Sequence, residues 1–253
     1  MKFRVLGCSG GIGDGLHTTS FLIDDDILID AGTGVMRLGR QALLRIDHVF
    51  LTHSHLDHIL ALPLLLDSVA GERRHPLVLH ALPEVLEILK AHLFNWRIWP
   101  DFSRLPTEDA PFLRYAPLLM REPVRLGGRE FTALPAHHVV PAAAYLVRGD
   151  AGSLLFSGDT ASHAALWERV AATADLRHLL VECSFPERLS DIAYASLHYS
   201  PAELVQDLQG SRPEVAVWIS HLKPGGEAAI MAELEARLPG RCRRLAEDQV
   251  FDL

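Results

Sequence analysis

Apolar positions along the chain fall into short runs, most of them closed by Gly, Asp, His or Glu. Such runs cover Lys2–Leu6, Ser20–Ile23, Ile27–Ile29, His48–Thr52, Leu77–His80, Phe131–Leu134, Ala144–Val147, Ser153–Phe156, Leu179–Val181 and Val215–Ile219. Their length and their content of β-branched and aromatic residues predict strands. Helical stretches are predicted between several of them, over Val35–Leu44, Ile59–Ser68, Pro83–His92, Ala164–Ala172, Pro201–Gln209 and Glu227–Leu238. Ser200 and Pro201 read as the N-cap and first position of a helix. Early strands follow one another directly, whereas later ones alternate with helices. That mixture predicts two sheets packed together with helices outside. Residues 94–129, rich in Pro, Arg and aromatics, read as an insertion or lid on a single domain spanning 1–253.

Composition narrows the class. Of 253 residues, 49% are hydrophobic and 22% charged, as in a globular domain with a large core. The net charge of −8 makes the chain a poor electrostatic partner for nucleic acid. Its three cysteines, Cys8, Cys183 and Cys242, have no CxxC spacing, so a disulfide framework is not expected and a reducing compartment fits. The opening MKFRVLGCSGG has no long apolar segment, and no run is long enough to span a bilayer. The expectation is a cytoplasmic protein with no membrane association.

One stretch departs from this ordinary picture. LTHSHLDHILALPLLLDS, residues 51–68, places His53, His55, Asp57 and His58 between an apolar strand and an apolar helix. Imidazoles and a carboxylate on one strand-to-helix turn can converge on a single point, and they are the ligand set of zinc and similar divalent metals. Further candidates follow other apolar runs: His137-His138 after FTALPA, Asp159 after SLLFSG and His221 after VAVWIS. Each alone is an ordinary turn residue. If their strands are neighbours, all four groups meet at one sheet edge. The glycine-rich stretch from Gly7 to Gly15 lacks the GKS/T of a phosphate loop and reads as a tight turn at the edge of the site.

HxHxDH, then His, then the Asp of SGD, then His after a strand resembles the metallo-β-lactamase superfamily. The resemblance implies an α/β fold, a four-layered αββα sandwich, and a two-metal site. It implies His53, His55 and His138 at one metal, Asp57, His58 and His221 at the other, and Asp159 as the bridge. His138 rather than His137 follows from the resembling families, whose ligand lies seven residues before an aromatic, as His138 does before Tyr145. The cofactors implied are two divalent ions, zinc first, with manganese or iron as alternatives. HSHLDHI, AHLFNWRIWPDF, LFSGDTA, VECSFPERLSDIAYASLHYSPAEL and ISHLKP together resemble the class II cyclic-nucleotide phosphodiesterases over nearly the whole chain.

That narrower resemblance implies hydrolysis of a 3′,5′-cyclic nucleotide, cyclic AMP first, to the 5′-monophosphate. Two divalent metals can activate a water and clamp a phosphoryl oxygen, with Asp57 orienting the water. His198 is the candidate proton donor to the leaving oxygen, and Glu182 the group that orients it. Trp96, Trp99 and Phe102, with Phe94, are candidates for a wall that stacks a base, although aromatics also dominate cores. Lys223 is a candidate phosphate contact. The alternatives are a tRNA 3′-processing ribonuclease, a thiolester hydrolase of the glyoxalase II kind, and a non-enzymatic sensor on the same scaffold. A homodimer is implied by the resemblance alone.

Overall fold

The computed structural model describes residues 1–253. Its strands are β1 (Lys2–Gly7), β2 (Ser20–Ile23), β3 (Ile27–Ile29), β4 (His48–Phe50), β5 (Leu77–Ala81), β6 (Leu113–Pro117), β7 (Pro123–Leu126), β8 (Arg129–Pro135), β9 (Ala143–Gly149), β10 (Gly152–Phe156), β11 (Leu176–Glu182), β12 (Ala216–Ser220), β13 (Cys242–Arg244) and β14 (Val250–Asp252). They form two seven-stranded sheets, in the orders β14-β1-β2-β3-β4-β5-β6 and β13-β12-β11-β10-β9-β8-β7. From β3 to β6 and from β10 to β13 the pairing is parallel.

The layering follows from the two-residue period of a strand. In β9, Ala143, Tyr145 and Val147 face the inter-sheet core, while Ala144 and Leu146 join the cluster on the other face. In β10, Leu154 and Phe156 face inward and Leu155 outward. That outer face is covered by Leu166 and Val170 of the helix Ala164–Ala172, by Leu204, Val205 and Leu208 of Pro201–Leu208, and by Ile230 and Leu234 of Glu227–Arg237. Leu62, Leu65 and Leu66 of the helix Ala61–Val69, and Val85, Leu86 and Leu89 of Pro83–His92, pack into the first sheet's cluster. Strands covered on both faces read as continuous apolar runs, which is why the central ones are visible in the sequence. The fold is the αββα sandwich.

Three local features differ from expectation. The helix expected over Val35–Leu44 is split into a 3₁₀ turn, Thr33–Arg37, and one α-turn, Arg40–Leu43, because Leu38 and Gly39 take extended backbone between them. The helix expected from Ile59 is instead two, a single turn at Leu56–Ile59 and a second helix at Ala61–Val69, divided at Leu60, after which the Ala61 N–H donates to the Ala31 carbonyl. Pro63 is tolerated because it lies in the first turn of Ala61–Val69, where a backbone N–H has no intrahelical partner. Residues 94–129, expected as an insertion or lid, contain β6 and β7, the facing edge strands of the two sheets. Ser200 caps Pro201–Leu208 as expected, in a capping box with Glu203.

Candidate metal and acid–base site

Apart from His198, which follows the helix Ser190–Ser196, the candidate groups lie at the C-terminal ends of strands or on the turns that follow them. Asp30 follows β3, His53 follows β4 and His138 follows β8. Asp159 follows β10, Glu182 closes β11 and His221 follows β12. Because β3 adjoins β4, and β10 to β12 are neighbours, these ends meet at one edge of the sandwich. Three clusters of donors result, the third being Glu182, His198 and His221; the two that combine imidazoles with Asp159 are His53, His55, His138 and Asp159, and Asp57, His58, Asp159 and His221. Asp159 belongs to both.

The spacing of donor atoms fits cations. His138 Nε2 lies 3.2 Å from His55 Nδ1, and His221 Nε2 lies 3.2 Å from both Asp57 Oδ2 and Asp159 Oδ2. His58 Nε2 is 3.3 Å from Asp159 Oδ1 and 3.4 Å from His221 Nε2. Tetrahedral zinc with ligands at about 2.1 Å separates its donors by about 3.4 Å. His53 Nε2 and Asp159 Oδ1 are buried without a hydrogen-bond partner. Buried polar atoms left unpaired are costly, and a cation between these two would satisfy both.

The far nitrogens are committed elsewhere. His58 Nδ1–H donates to Asp30 Oδ2 at 2.7 Å. His53 Nδ1–H donates to Thr52 Oγ1 at 3.0 Å, and the Thr52 hydroxyl donates to Asp30 Oδ2 at 2.8 Å. His138 Nδ1–H donates to the Leu197 carbonyl at 3.2 Å, and His221 Nδ1–H to Ser184 Oγ at 2.9 Å. Each of these rings therefore keeps its Nε2 lone pair for the centre, as metal-ligating histidines do. Three residues here have left-handed backbone, Asp30 (φ 56°), Leu197 (φ 53°) and His221 (φ 56°). Strain of this kind, of order 1–3 kcal/mol each, collects at functional sites.

Coordination requires neutral imidazoles and ionised carboxylates, and the shifted donors lie on that side with the exception of His58, from which a cation would have to displace a proton. Burial holds His53 well below its ordinary value, lowers His55, and pushes His138 down to about 4. Burial opposes ionisation of Asp159, but His221, His58 and His53 around it hold its carboxyl well below the usual range. Asp57 is likewise lowered against its burial by His221 and His58. His58 is raised despite burial because Asp159 and Asp30 flank it.

A second constellation adjoins the donors. His198 Nδ1–H donates to Glu182 Oε1 at 2.6 Å, and its ring lies 4.9 Å from His138 and 5.4 Å from His221. Glu182 is fully buried and also accepts from the Thr160 N–H, the Ser184 hydroxyl and the Tyr199 N–H. Burial lowers the His198 pKa, but the Glu182 carboxylate more than offsets this and raises it. Lys223 Nζ lies 4.0 Å from Asp57 Oδ2 and donates to the Gly10 carbonyl at 2.7 Å. A Cβ on Gly10 would sit 2.6 Å from the His221 carbonyl, so glycine is required where the early turn meets the site.

Several residues stand apart from their sequence readings. His137 is exposed, with its ring nearest His163, and only His138 turns to the donors. The expected aromatic wall is not assembled. Phe94 and Phe102 are buried in the first sheet's core and Trp99 packs against it, while Trp96 is 57% exposed. The aromatic beside the acid–base pair is Phe185, 5.8 Å from His198. Asp30 and Ser184 were missed. Asp30 carries the same strand-end signal as Asp159, while Ser184 has no signal of its own.

The model of the β-lactamase superfamily domain matches residues 25–237. The chain belongs to that superfamily. Its two-sheet architecture is the metallo-β-lactamase fold, a hydrolase fold, and its His and Asp clusters suit divalent metals. A Yersinia pestis relative named "Probable 3′,5′-cyclic-nucleotide phosphodiesterase" is 25% identical over 87% of this chain and 77% of its own length. Unliganded yeast PDE1 superposes with a TM-score of 0.82 at 21% identity, covering 100% of this chain and 99% of that one. The short form of human tRNase Z shares the fold with a TM-score of 0.71 at 15% identity, covering 100% and 99%. The resemblance read in the motifs thus extends over most of the chain, and the fold over all of it. No helix is long and apolar enough to cross a membrane.

Proposed function

We propose that this superfamily member hydrolyses 3′,5′-cyclic nucleotides, cyclic AMP first among them, to 5′-monophosphates. Two divalent cations, zinc first, would be held by His53, His55 and His138, by Asp57, His58 and His221, and by Asp159 between them. When bound, they polarise a phosphoryl oxygen and make water a stronger nucleophile near neutral pH. The observation that carries the reading is the buried Glu182–His198 pair directly beside the donor groups. Thiolester hydrolysis expels a good leaving group and has little use for such an acid. Opening a cyclic phosphodiester expels a ribose alkoxide, which needs a proton.

The residues divide the work. Asp57 is part-exposed and orients the water that attacks phosphorus. Lys223 offers its ammonium to a phosphate oxygen. As the P–O3′ bond breaks, His198 gives its Nε2 proton to O3′, while Glu182 holds Nδ1–H and stabilises the imidazolium beforehand.

The test is a screen of metal-replete enzyme against cyclic AMP, cyclic GMP, 2′,3′-cyclic nucleotides, precursor tRNA and a glutathione thiolester. Turnover of the 3′,5′-cyclic nucleotides, abolished by chelation and restored by zinc or manganese, is expected. Turnover of the thiolester alone, or activity indifferent to chelator, would refute the reading.

A further inference from the structure

A cavity of about 680 Å³ opens beside His138, within the range of small-molecule sites. Its walls are the turn after β6, with Leu118, Leu119 and Met120, and the segment after His138, with Val139, Val140 and Pro141. Glu84 is its one acidic group. Leu119 is 60% exposed, Val139 51% and Met120 37%. Grouped apolar side chains left in water mark binding surfaces more often than solvent-adapted ones. No Phe, Tyr or Trp lines the space, so the segment 94–102 does not supply its wall.

The cavity shares its sheet edge with the donor atoms, and His138 borders both. A ligand with its phosphodiester at the donors and its far end beside His138 would enter the cavity. The lining selects that far end. Leucine, methionine and valine contact the faces of a flat, weakly polar ring, and methionine adapts to such shapes. A carboxylate at the rim accepts from ring or exocyclic N–H groups and repels anions. A phosphate would be repelled by the carboxylate, and a sugar, although its hydroxyls can donate to it, has no flat apolar face for the leucine, methionine and valine side chains, whereas an amino-bearing purine offers both the face and the donor.

We propose that this cavity is the subsite for the base of the nucleotide, an amino-bearing purine, with Leu119, Met120 and Val139 determining specificity. This rests on the function proposed above. The test measures adenosine binding to metal-loaded wild type, Met120→Trp and Val139→Trp by calorimetry, alongside the rates on cyclic AMP and on methyl p-nitrophenyl phosphate, which has no base. Each variant should bind adenosine at least tenfold more weakly and raise KM for cyclic AMP by a similar factor. Metal content should be unchanged and the rate on the small diester should stay within threefold. Purine riboside, lacking the amino group, should bind wild type more weakly than adenosine does. Equal adenosine binding by wild type and both variants, or parallel losses on the small diester, would overturn the subsite. Equal binding of purine riboside would overturn its preference for an amino group. A wild type that cleaves the small diester but no cyclic nucleotide would sink the parent function, while adenosine binding would still decide the cavity.

Discussion

Asp30 is the most informative residue to perturb, because it touches no cation yet fixes two of the histidines that would. It is fully buried, and its carboxylate accepts from the Thr52 N–H at 2.8 Å, the Thr52 hydroxyl at 2.8 Å and His58 Nδ1–H at 2.7 Å. Asp30→Asn preserves size and left-handed backbone, since Asn also tolerates that region. Its carbonyl oxygen replaces Oδ1 and still accepts from the Thr52 N–H. Its NH₂ replaces Oδ2, which served the other two donors, and it cannot accept from either. The Thr52 hydroxyl can rotate away. His58 can keep its proton on Nδ1 only against another N–H, or move it to Nε2, the atom required for the metal. A lost charge-assisted hydrogen bond is worth about 1.5–3 kcal/mol. At about 1.4 kcal/mol per decade this corresponds to roughly 10–100-fold in affinity, the range usual for outer partners of metal ligands. Metal titration against a competing chelator should therefore show one of two sites weakened 10–100-fold, the one containing Asp57, His58 and His221, with a smaller change at the other. Unchanged affinity, or an equal fall at both sites, would refute the tautomer argument. A lowered melting temperature with unchanged affinity would make Asp30 a fold residue only.

Three further outcomes are expected. His198→Ala should lose about 10²–10⁴-fold on cyclic AMP, far less on bis(p-nitrophenyl) phosphate, and no metal; equal losses on both substrates would remove its role as acid. Phe102→Ala should cost about 3–5 kcal/mol of stability as a buried aromatic, whereas Trp96→Ala should cost about 1 kcal/mol or less, and urea unfolding of the two variants would expose the opposite ranking. His80 is pushed down to about 4 by burial and by nearby His48, so the unfolded chain binds the extra proton between pH 6.5 and 4. The stability it confers is complete above pH 6.5 and is lost as pH falls toward 4, about 3 kcal/mol in all. His80→Leu should flatten that part of the unfolding profile, and parallel curves for wild type and variant would contradict the assignment.

What could be read from the sequence tracks burial. Strands covered on both faces, such as β9 and β10, announce themselves as apolar runs. The edge strands β6, β7, β13 and β14 do not: β7 opens with proline, β13 is Cys-Arg-Arg, and exposed Val250 and Asp252 flank buried Phe251 in β14. Edge strands bury less and carry charge and proline to discourage pairing with other chains, so their pattern fades toward that of loops. The aromatics at 94–102 show a converse limit. Phe102 in a core and Phe102 against a base look identical in a sequence, and only packing separates them.

The donor residues are legible because they cluster within a few positions or follow conspicuous strands. Their outer partners are not, since these become neighbours only through strand pairing. β3 and β4 pair in parallel with Ile29 opposite Phe50, which carries the next residues, Asp30 and then Thr52, to adjoining positions beyond the sheet. β11 and β12 pair with Glu182 opposite Ser220, which sets Ser184 beside His221. A shift of one residue in either register would turn these side chains to the opposite face. His58 would then lose its carboxylate and His221 its hydroxyl, although HxHxDH itself would be unchanged. The motif names candidate donors, but the register of two parallel strand pairs supplies the partners that leave Nε2 of His58 and His221 free to face a cation.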